Sequence, residues 1–473
     1  MKRRGGGSDA PFTIALGLVA LLPRLFVAIA WAREPVWDGH YYHFGAERIA
    51  AGLGYSEDVT IAGHLVWKPW SHYPVGYSGM LSCFYRLFGS GLLVAPIVNA
   101  LTGALTVIIV HRLARYYLSP GRARVAGGIA ALHPGLIAYS AVVMTEPLAA
   151  LLVLGAALAA LRWRGRWRAA VLAGALLGLA VLVRPSSLLA APLVALTQPR
   201  PVWRAALSGA VATVTALLVV TPWSLRNCRT MDGCALVSTN GGWNLAIGAI
   251  TTTGRFTTLR ASDGCPVVTG QVQQDRCWAK VGRDLIRANP GRWLAMIPKK
   301  LGETFDHESF AIEYLREANP AAWPEERRAA GRGLLTLFHR LLMIAAALGV
   351  VAAPRRERAR GVDWATQLTL AALILLAGVH ALTSLAHPFY WFAIAAPLIA
   401  ALPFGGRPEQ GPVGRFALGL IASTVLVHAV FFGDDRYHLI ITPVLCLLAA
   451  GALRQPSRPP SAAPPALDAP RSS

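Results

Sequence analysis

The stretch FTIALGLVALLPRLFVAIAW, residues 12–31, is almost wholly apolar and contains a single charged side chain, Arg24. A helix needs about 20 predominantly apolar residues to cross a bilayer, so this stretch is long enough to span one. Charged residues make up only 15% of the chain, against about 25% in soluble domains. The sequence therefore predicts an all-α polytopic membrane protein. Similar apolar stretches follow at Gly91–Val110, Ala205–Trp223, Leu334–Ala353 and Thr366–Leu385.

The net charge of +21 comes from basic residues that form short clusters between alternate apolar stretches. This is the positive-inside pattern of membrane proteins, and it argues against nucleic acid as a partner. The clusters predict about twelve transmembrane helices, with the N-terminus on the cytoplasmic side. The predicted helices cover residues 11–32, 91–113, 125–143, 146–161, 169–184, 186–197, 205–223, 334–353, 366–385, 389–404, 414–432 and 439–453.

The polar segments divide the chain and leave two large loops on the extracytoplasmic side. Both ends are predicted to be disordered, because one is rich in Gly and the other in Pro, Ala and Ser. The predicted parts are a cytoplasmic N-terminus at 1–10, helices 1–7 at 11–223 including an outer loop at 33–90, a second outer loop at 224–332, helices 8–12 at 333–453, and a cytoplasmic tail at 454–473.

The first helix has a second interpretation, because Ala30-Trp31-Ala32 resembles a signal-peptidase site. Its apolar stretch is long for a signal peptide and is interrupted by Pro23 and Arg24. These features favour an uncleaved membrane anchor, and either alternative leaves the sidedness of the other helices unchanged.

Four of the six cysteines lie in the second outer loop, at Cys228, Cys234, Cys265 and Cys277. Disulfides persist in oxidising compartments, so this placement agrees with an extracytoplasmic loop. Four cysteines allow three pairings, and nearness in sequence favours Cys228–Cys234 with Cys265–Cys277. A zinc site is disfavoured, because the spacings contain no CxxC pair and no histidine completes a ligand set.

Asp38 is the strongest candidate for a catalytic residue, because it follows directly on the first membrane helix. A carboxylate at that height above the bilayer could take a proton from an acceptor hydroxyl as a general base. The alternative is that Asp38 only caps the helix that follows it. Position in the sequence does not choose between the two.

Glu146 lies at the outer turn between two apolar segments, where ionisable residues are functional candidates. Its alternative role is that of an acidic residue at a helix start, ahead of Pro147. Several cations also face outward against the positive-inside trend, and as a set they favour an anionic lipid headgroup. They are Arg184, Arg226, Lys299, Lys300 and Arg436, although each alone could be an interfacial anchor.

Other catalytic motifs are absent from the sequence, including the P-loop, GxSxG, HExxH and a GxGxxG after a strand. This absence indicates an enzyme that uses neither ATP nor a nucleotide cofactor, and it fits a donor that arrives through the bilayer already activated. No cofactor is required by any spacing. A divalent metal stays open, because Asp38, Glu146 and nearby histidines could supply ligands.

Several short stretches, in this order and on these sides of the membrane, resemble the GT-C glycosyltransferases of the protein O-mannosyltransferase and lipid A aminoarabinose transferase type. The resemblance covers most of the chain. The stretches are Trp37-Asp38, Gly52–Tyr55, His72–Tyr77, Thr145–Leu148, Pro222–Asn227, Asn240–Asn244, Asn289–Trp293 with Lys299-Lys300, and Arg436-Tyr437.

The resemblance implies inverting transfer of a sugar from a polyprenyl-phosphate donor to a lipid, glycan or protein acceptor. It implies that Asp38 is the base and that Lys68 lies near the lipid phosphate. Glu146 is the second catalytic candidate, on its position at the outer turn. Many relatives have another acid directly after the aspartate, and here that position is Gly39. The remaining residues expected to bind substrate are His72, Tyr73, Arg184, Arg226, Arg436 and Tyr437.

The expected setting is a bacterial inner membrane, with membrane lipids around the helices and the active site facing the periplasm. Two other functions remain as alternatives. A transporter or flippase of a lipid-linked saccharide would place charges at the bilayer midplane and often shows inverted repeats, which this sequence lacks. A glycan polymerase or ligase would use the same kind of lipid but accept longer donors.

Overall fold

The computed structural model describes residues 9–198, 201–266, 270–351, 363–383 and 411–453. Within these ranges, five helices are long and apolar enough to cross a membrane, and the predicted helical membrane protein is confirmed. The count of twelve spans stays a prediction, and the predicted helix at 389–404 lies outside the described residues. The five helices are Ala10–Ala30, Val94–Ala114, Val202–Thr230, Glu325–Val351 and Gly411–Val430.

The described elements are almost all helical. The helices are α1 (Ala10–Ala30), α2 (Asp38–Ala50), α3 (Val75–Phe88), α4 (Val94–Ala114), α5 (Pro120–Leu132), α6 (Pro134–Ala138), α7 (Glu146–Arg162), α8 (Trp167–Val183), α9 (Val202–Thr230), α10 (Gly241–Ile250), α11 (Gln271–Ala288), α12 (Pro290–Ala295), α13 (Ile297–Phe305), α14 (Phe310–Ala318), α15 (Glu325–Val351), α16 (Asp363–Thr383), α17 (Gly411–Val430) and α18 (Thr442–Ala449). Short 3-10 segments include Tyr139–Ala141, Pro185–Ala190, Pro192–Thr197 and Asp435–Ile440.

Prolines break two of the predicted membrane helices. The predicted helix 125–143 is instead α5, then α6 starting at Pro134, then a 3-10 turn. The predicted helix 186–197 consists of two 3-10 segments that start at Pro185 and Pro192. Proline lacks an N–H and its ring clashes with the preceding turn, so a continuous α-helix cannot run through these positions without a kink or break.

The first outer loop contains a β-hairpin that the helical pattern does not predict. Strand β1 (Ser56–Ile61) pairs antiparallel with β2 (His64–Pro69) between helices α2 and α3. The two turn residues, Ala62 and Gly63, have φ angles of 50° and 81°. Both residues of a type I′ hairpin turn need positive φ, so glycine suits the second position whereas alanine is unusual at the first.

The second outer loop is a compact helical unit whose ends differ from the predicted bounds. Helix α9 runs on to Thr230 and α15 begins at Glu325, so both membrane helices extend into the predicted loop. Helix α10 packs against α11, where the Asp275 carboxylate accepts hydrogen bonds from Gly242 N (2.7 Å) and Trp243 N (3.3 Å). Disulfides join Cys228 to Cys234 and Cys265 to Cys277, the pairing that nearness in sequence favours.

Small residues allow helices α8 and α9 to approach closely. A β-carbon added at Gly174 would lie 2.5 Å from Ala212 O, and one added at Gly178 would lie 2.6 Å from the Val219 Cβ. Gly174 and Gly178 are four residues apart and so lie on one helix face. This is the GxxxG arrangement of membrane helix interfaces, in which attraction depends on close van der Waals contact.

Replacing Gly178 with alanine should therefore push α8 away from α9. We expect a loss of stability of about 1–3 kcal/mol, the usual cost of overpacking, measured as a lower midpoint of thermal unfolding in detergent. Gly128→Ala in α5 is the matched control, because no described atom lies within 4 Å of its added β-carbon. That variant gains helix propensity without a clash, so equal midpoints for the two variants would contradict the packing argument.

Arg24 is fully buried in α1 and holds the end of α5. Its guanidinium donates hydrogen bonds to Ala131 O (2.8 Å), Ala130 O (3.0 Å) and Ala20 O (2.8 Å). The last carbonyls of a helix have no partner within the helix, and Ala130 and Ala131 are fully buried here. The single charge in the first apolar stretch is thus the C-terminal cap of a neighbouring helix.

Arg24→Leu should leave these carbonyls without donors in an apolar surrounding, at a cost of about 1–3 kcal/mol for each. We expect a clearly lower unfolding midpoint and a smaller yield of folded protein from detergent extraction. Arg86→Leu is the control, since Arg86 donates to Ala50 O and Ile49 O at the end of α2 in an exposed position where water can replace it. Similar losses in both variants would refute a special role for the buried cap.

Candidate active site

A short non-helical segment after α1 places Asp38 at the outer end of the membrane helices. Helix α1 ends at Ala30, and Asp38 is the first residue of α2. Between them, Trp37 has a φ of 51°, which is unusual for a residue other than glycine. The Trp37 ring packs against Phe310 and Tyr314, with centroids 5.6 and 5.9 Å away. These contacts hold the strained turn that directs Asp38 into the site.

The Asp38 carboxylate is bound by two donors from distant parts of the chain. Tyr73 Oη donates to Oδ1 and Arg436 Nη1 to Oδ2, each at 2.7 Å. Burial alone would raise the pKa of Asp38, but the Arg436 charge and the Tyr73 hydroxyl outweigh it and hold the pKa below its usual value. The side chain remains 23% exposed. Asp38 is therefore ionised and accessible. Its carboxylate accepts hydrogen bonds from Tyr73 and Arg436, and not from the N–H groups of its own helix.

Arg436 lies at the centre of the site. Besides Asp38 it faces Asp434, whose Oδ1 lies 3.8 Å from Arg436 Nε and accepts a hydrogen bond from Arg436 N at 3.1 Å. The guanidinium lies above the Phe310 ring, 5.0 Å from its centroid. Arg436 Nε is buried and has no hydrogen-bond partner within the described residues besides this longer contact with Asp434. The Arg436 charge is thus shared between two carboxylates, and an anionic ligand would have to displace one of them.

Glu146 and Arg184 form a second ion pair beside the first. Arg184 Nη1 donates to Glu146 Oε1 at 2.5 Å, and Glu146 is fully buried at the start of α7. The Arg184 guanidinium also lies 4.9 Å from the ring centroid of Tyr437, which stacks on His428 from the other side. A cleft with about 390 Å³ of empty volume opens here, lined by Arg184, Ser187, His428, Tyr437 and apolar residues.

Aromatic side chains border Asp38 on the side of the first outer loop. His72 lies edge-on to both Tyr73 and Trp243, with centroids 5.0 and 5.7 Å away, and burial lowers its pKa to about 4. Tyr41 stacks on Tyr73 at 5.3 Å. His72 is therefore neutral at pH 7, and the Asp38 site has apolar and aromatic surroundings of the kind that bind a sugar face.

The structure does not bring every candidate residue to this site. Lys68 lies on β2 opposite Glu57 in the hairpin, away from the contacts of Asp38. Arg226 donates to Tyr55 O (2.6 Å) and Trp70 O (3.1 Å), the backbone on either side of the hairpin.

Lys300 is buried, and its Nζ lies 3.2 Å from Val430 O at the end of α17. The outward cations thus separate into cations that bind backbone carbonyls and the pair Arg184 and Arg436.

Asp434, Asp435 and Phe310 belong to the site but are not identified as site residues by the sequence. Asp434 and Asp435 precede Arg436 directly, and Asp434 faces it in the structure. In the structure, Asp435 Oδ2 instead accepts hydrogen bonds from Ser309 N and Phe310 N at the start of α14. Phe310 carries no signal in the sequence, because it reaches Arg436 only through the tertiary fold.

A divalent metal between Asp38 and Glu146 stays a prediction. Both carboxylates are bound by arginines, Arg436 and Arg184, which already supply positive charge. A cation at this place would have to displace at least one of these pairs.

The comparison with known families agrees with the motifs. Residues 72–225 match the family described as dolichyl-phosphate-mannose-protein mannosyltransferase. This segment contains His72, Tyr73, Glu146 and Arg184 of the site. Over this segment the match agrees with the expected resemblance to GT-C glycosyltransferases of the protein O-mannosyltransferase and aminoarabinose transferase type. No curated protein matches the sequence.

Solved structures align with the chain at low identity. The oligosaccharyltransferase of Archaeoglobus fulgidus, tethered with an acceptor peptide, is 14% identical with a TM-score of 0.47, over 93% of this chain and 49% of that chain. ArnT from Cupriavidus metallidurans, bound to undecaprenyl phosphate, is 17% identical with a TM-score of 0.37, over 92% of this chain and 78% of that chain. The chain spans about half the length of the archaeal protein.

The Asp434 carboxylate should make stability depend on pH. Burial and the neighbouring Asp435 raise its pKa to about 7, although Arg436 acts against them. The folded pKa lies above the unfolded value of about 3.9. Protonated Asp434 therefore stabilises the folded protein fully below that unfolded value. This contribution to the free energy of unfolding is lost as the pH rises from there through 7, by at most about 1.4 kcal/mol for each pH unit.

Asp434→Asn should remove this part of the slope between about pH 4 and pH 7 in thermal unfolding midpoints. Asp435→Asn is the contrast, because His307 and the bonds from Ser309 hold the pKa of Asp435 below its usual value despite burial. That variant should be less stable at every pH in this range and should keep part of the slope, because burial still raises the pKa of Asp434 when the Asp435 charge is removed. An unchanged slope in Asp434→Asn would count against the raised pKa.

Proposed function

We propose that this protein transfers a sugar from a polyprenyl-phosphate donor to a lipid, glycan or protein acceptor at the extracytoplasmic face of a membrane. The observation that carries the proposal is the Asp38 carboxylate, which is ionised, partly exposed and held between Tyr73 and Arg436. The family match at residues 72–225 supports the chemistry, since the name of that family refers to a lipid-phosphate sugar donor.

In the proposed reaction, Asp38 takes the proton of an acceptor hydroxyl as the hydroxyl oxygen bonds to the anomeric carbon. The bond between that carbon and the phosphate oxygen breaks, and its electron pair stays on the polyprenyl phosphate. Attack from the side opposite the leaving group inverts the anomeric configuration. The phosphate gains negative charge at this step, so a nearby guanidinium stabilises the transition state more than the bound substrate.

Arg436 is suited to link donor binding to the strength of the base. While it binds Asp38 Oδ2 at 2.7 Å, it stabilises the carboxylate and makes it a weaker base. A donor phosphate that takes the place of Asp38 at Nη1 and draws the guanidinium away would raise the basicity of Asp38. Asp38 would then become an effective base only when the donor is bound.

The second ion pair supports a place for the donor phosphate. Arg184 borders a cleft that is also lined by Ser187, His428 and Tyr437. Its partner Glu146 is buried and fixes the guanidinium at the wall of the cleft. We assign Arg184 and Arg436 to the donor, and Tyr73 to holding Asp38 in place.

The extracytoplasmic face is supported by the disulfides Cys228–Cys234 and Cys265–Cys277 of the second outer loop. Disulfides persist in oxidising compartments, and the Asp38 site lies at the same side of the helices as this loop. A bacterial inner membrane with the site facing the periplasm is the setting we infer.

The first experiment measures sugar release from a panel of radiolabelled polyprenyl-phosphate monosaccharides by the purified protein, with acceptor lipids present. We expect turnover of one donor by the wild type and a loss of about 100-fold or more in Asp38→Asn, the usual contribution of a general base. The variant should remain folded, because asparagine keeps the size of the side chain.

Asp58→Asn is the matched control. Asp58 is an aspartate of the same outer loop whose Oδ2 is bound by an arginine, Arg48, at the same 2.7 Å. It should keep near wild-type turnover. Equal activity in wild type and Asp38→Asn would remove Asp38 as the base, and no turnover of any donor by folded wild type would favour transport or transfer of a longer saccharide.

A further inference from the structure

Three ionisable side chains meet in the interior of the helical body, apart from the Asp38 site. Glu308 follows α13, His339 lies within α15, and His438 lies in the 3-10 segment before α18. All three are buried, with at most 1% of each side chain exposed. One potential metal-binding atom from each lies within 4.8 Å of the other two. The group brings together three segments that are far apart in sequence.

Backbone hydrogen bonds select the proton positions on both histidines. His339 Nε2 bonds to Phe305 O at 2.9 Å, and His438 Nδ1 bonds to Thr304 O at 2.8 Å. A carbonyl oxygen can only accept, so these nitrogens carry the protons. In the neutral rings, the opposite nitrogens then present lone pairs. Metal-bound histidines are usually held in this way by their second nitrogen.

The remaining polar atoms of the cluster have no hydrogen-bond partner within the part of the chain that the structure describes. They are His339 Nδ1, His438 Nε2 and both carboxylate oxygens of Glu308. Leaving a buried carboxylate and two lone pairs unmatched is costly. A divalent cation among them would bind all three groups and neutralise the Glu308 charge.

We propose that Glu308, His339 and His438 bind one zinc ion or another divalent transition metal. Two imidazole nitrogens and one carboxylate are a known ligand set for zinc, with bonds of about 2.0–2.2 Å and a water in the fourth position. Tetrahedral geometry at these lengths needs ligand atoms roughly 3.3 Å apart. His438 Nε2 and Glu308 Oε2 lie 3.8 Å apart, and the His339 and His438 rings stack with centroids 3.9 Å apart. Metal binding therefore requires the two rings to turn out of this stack so that their lone pairs converge on the ion.

A third histidine near the cluster, His133, is not a ligand. His133 Nδ1 accepts a hydrogen bond from Leu136 N at 3.3 Å, at the start of α6. Its proton is therefore on Nε2, which makes this ring a donor in its neutral form. His133 can donate to the carboxylate or to the metal-bound water.

The metal would hold the 3-10 segment Asp435–Ile440, which carries Arg436, in a fixed position. His438 is two residues after Arg436, and Asp435 in the same segment accepts hydrogen bonds from Ser309 N and Phe310 N, next to Glu308. Binding at Glu308, His339 and His438 thus joins α15, the end of the second outer loop and the arginine segment. The site lies apart from Asp38 and does not depend on the proposed reaction.

The test uses the full chain, purified in detergent, stripped with a chelator and reloaded with equimolar zinc. Elemental analysis should find about one zinc per wild-type chain, and zinc should raise the unfolding midpoint of the stripped protein. Glu308→Gln and His438→Gln should each lose most of the bound zinc and the zinc-dependent shift. His111→Gln is the matched control and should keep both.

His111 suits this purpose because it is also buried, bonds Ala123 O through Nδ1, and has an Nε2 without a partner in the described ranges. Stripped wild type that stays monodisperse, binds no zinc and shows no shift would overturn the proposal, leaving a protonated histidine beside Glu308 as the explanation. Should the cluster variants not fold, cobalt loading of wild type decides: a four-coordinate visible spectrum supports the site, and its absence refutes it.

Discussion

Helices that end within an apolar body leave backbone carbonyl groups without partners, and the arrangement of this protein depends on how they are satisfied. Cations provide the donors, two of them buried and one exposed. Arg24 binds the last carbonyls of α5, Lys300 those of α17, and Arg292 those of α10 at 2.8 Å for Ala249 O. Cations near a helix C-terminus also interact favourably with its dipole. Because these side chains satisfy the terminal carbonyls, short and broken helices can end at different depths. The different end points leave room for a site between the helices.

The cations that remain near the cleft are paired with acids rather than with backbone. Arg436 faces Asp38 and Asp434, while Arg184 faces Glu146. Each arginine is fixed by an ion pair and an aromatic ring, so little side-chain freedom is lost when an anion binds. The acids also keep the empty site from carrying a large uncompensated charge next to the bilayer. A site of this kind gains an anionic lipid by exchanging partners, not by filling a bare positive pocket.

Composition and the spacing of basic clusters predicted the membrane class, the two outer loops and the start and end of most long helices. These features depend on local apolar length, which the sequence contains directly. The 3-10 segments at 185–197 could be expected only as weak spans, because apolar content does not reveal how two prolines divide a helix. The hairpin was missed because its turn is Ala-Gly instead of the stronger Asn-Gly signal. Asp38 and Arg436 were found one by one, yet their contact across 398 positions is a property of the tertiary fold.

Arg226 has a consequence for how the first outer loop can change. It binds Tyr55 O and Trp70 O, the two points where the chain enters and leaves the β-hairpin, so the hairpin is closed at its base. The base is also tied to α2, because Arg48 of α2 binds Asp58 of β1 at 2.7 Å, so a change in length is best accommodated at the tip. A closed, exposed tip tolerates insertion because lengthening a loop costs little. The hairpin tip is thus a natural place for length variation among homologues, and for an epitope tag that leaves the catalytic region undisturbed.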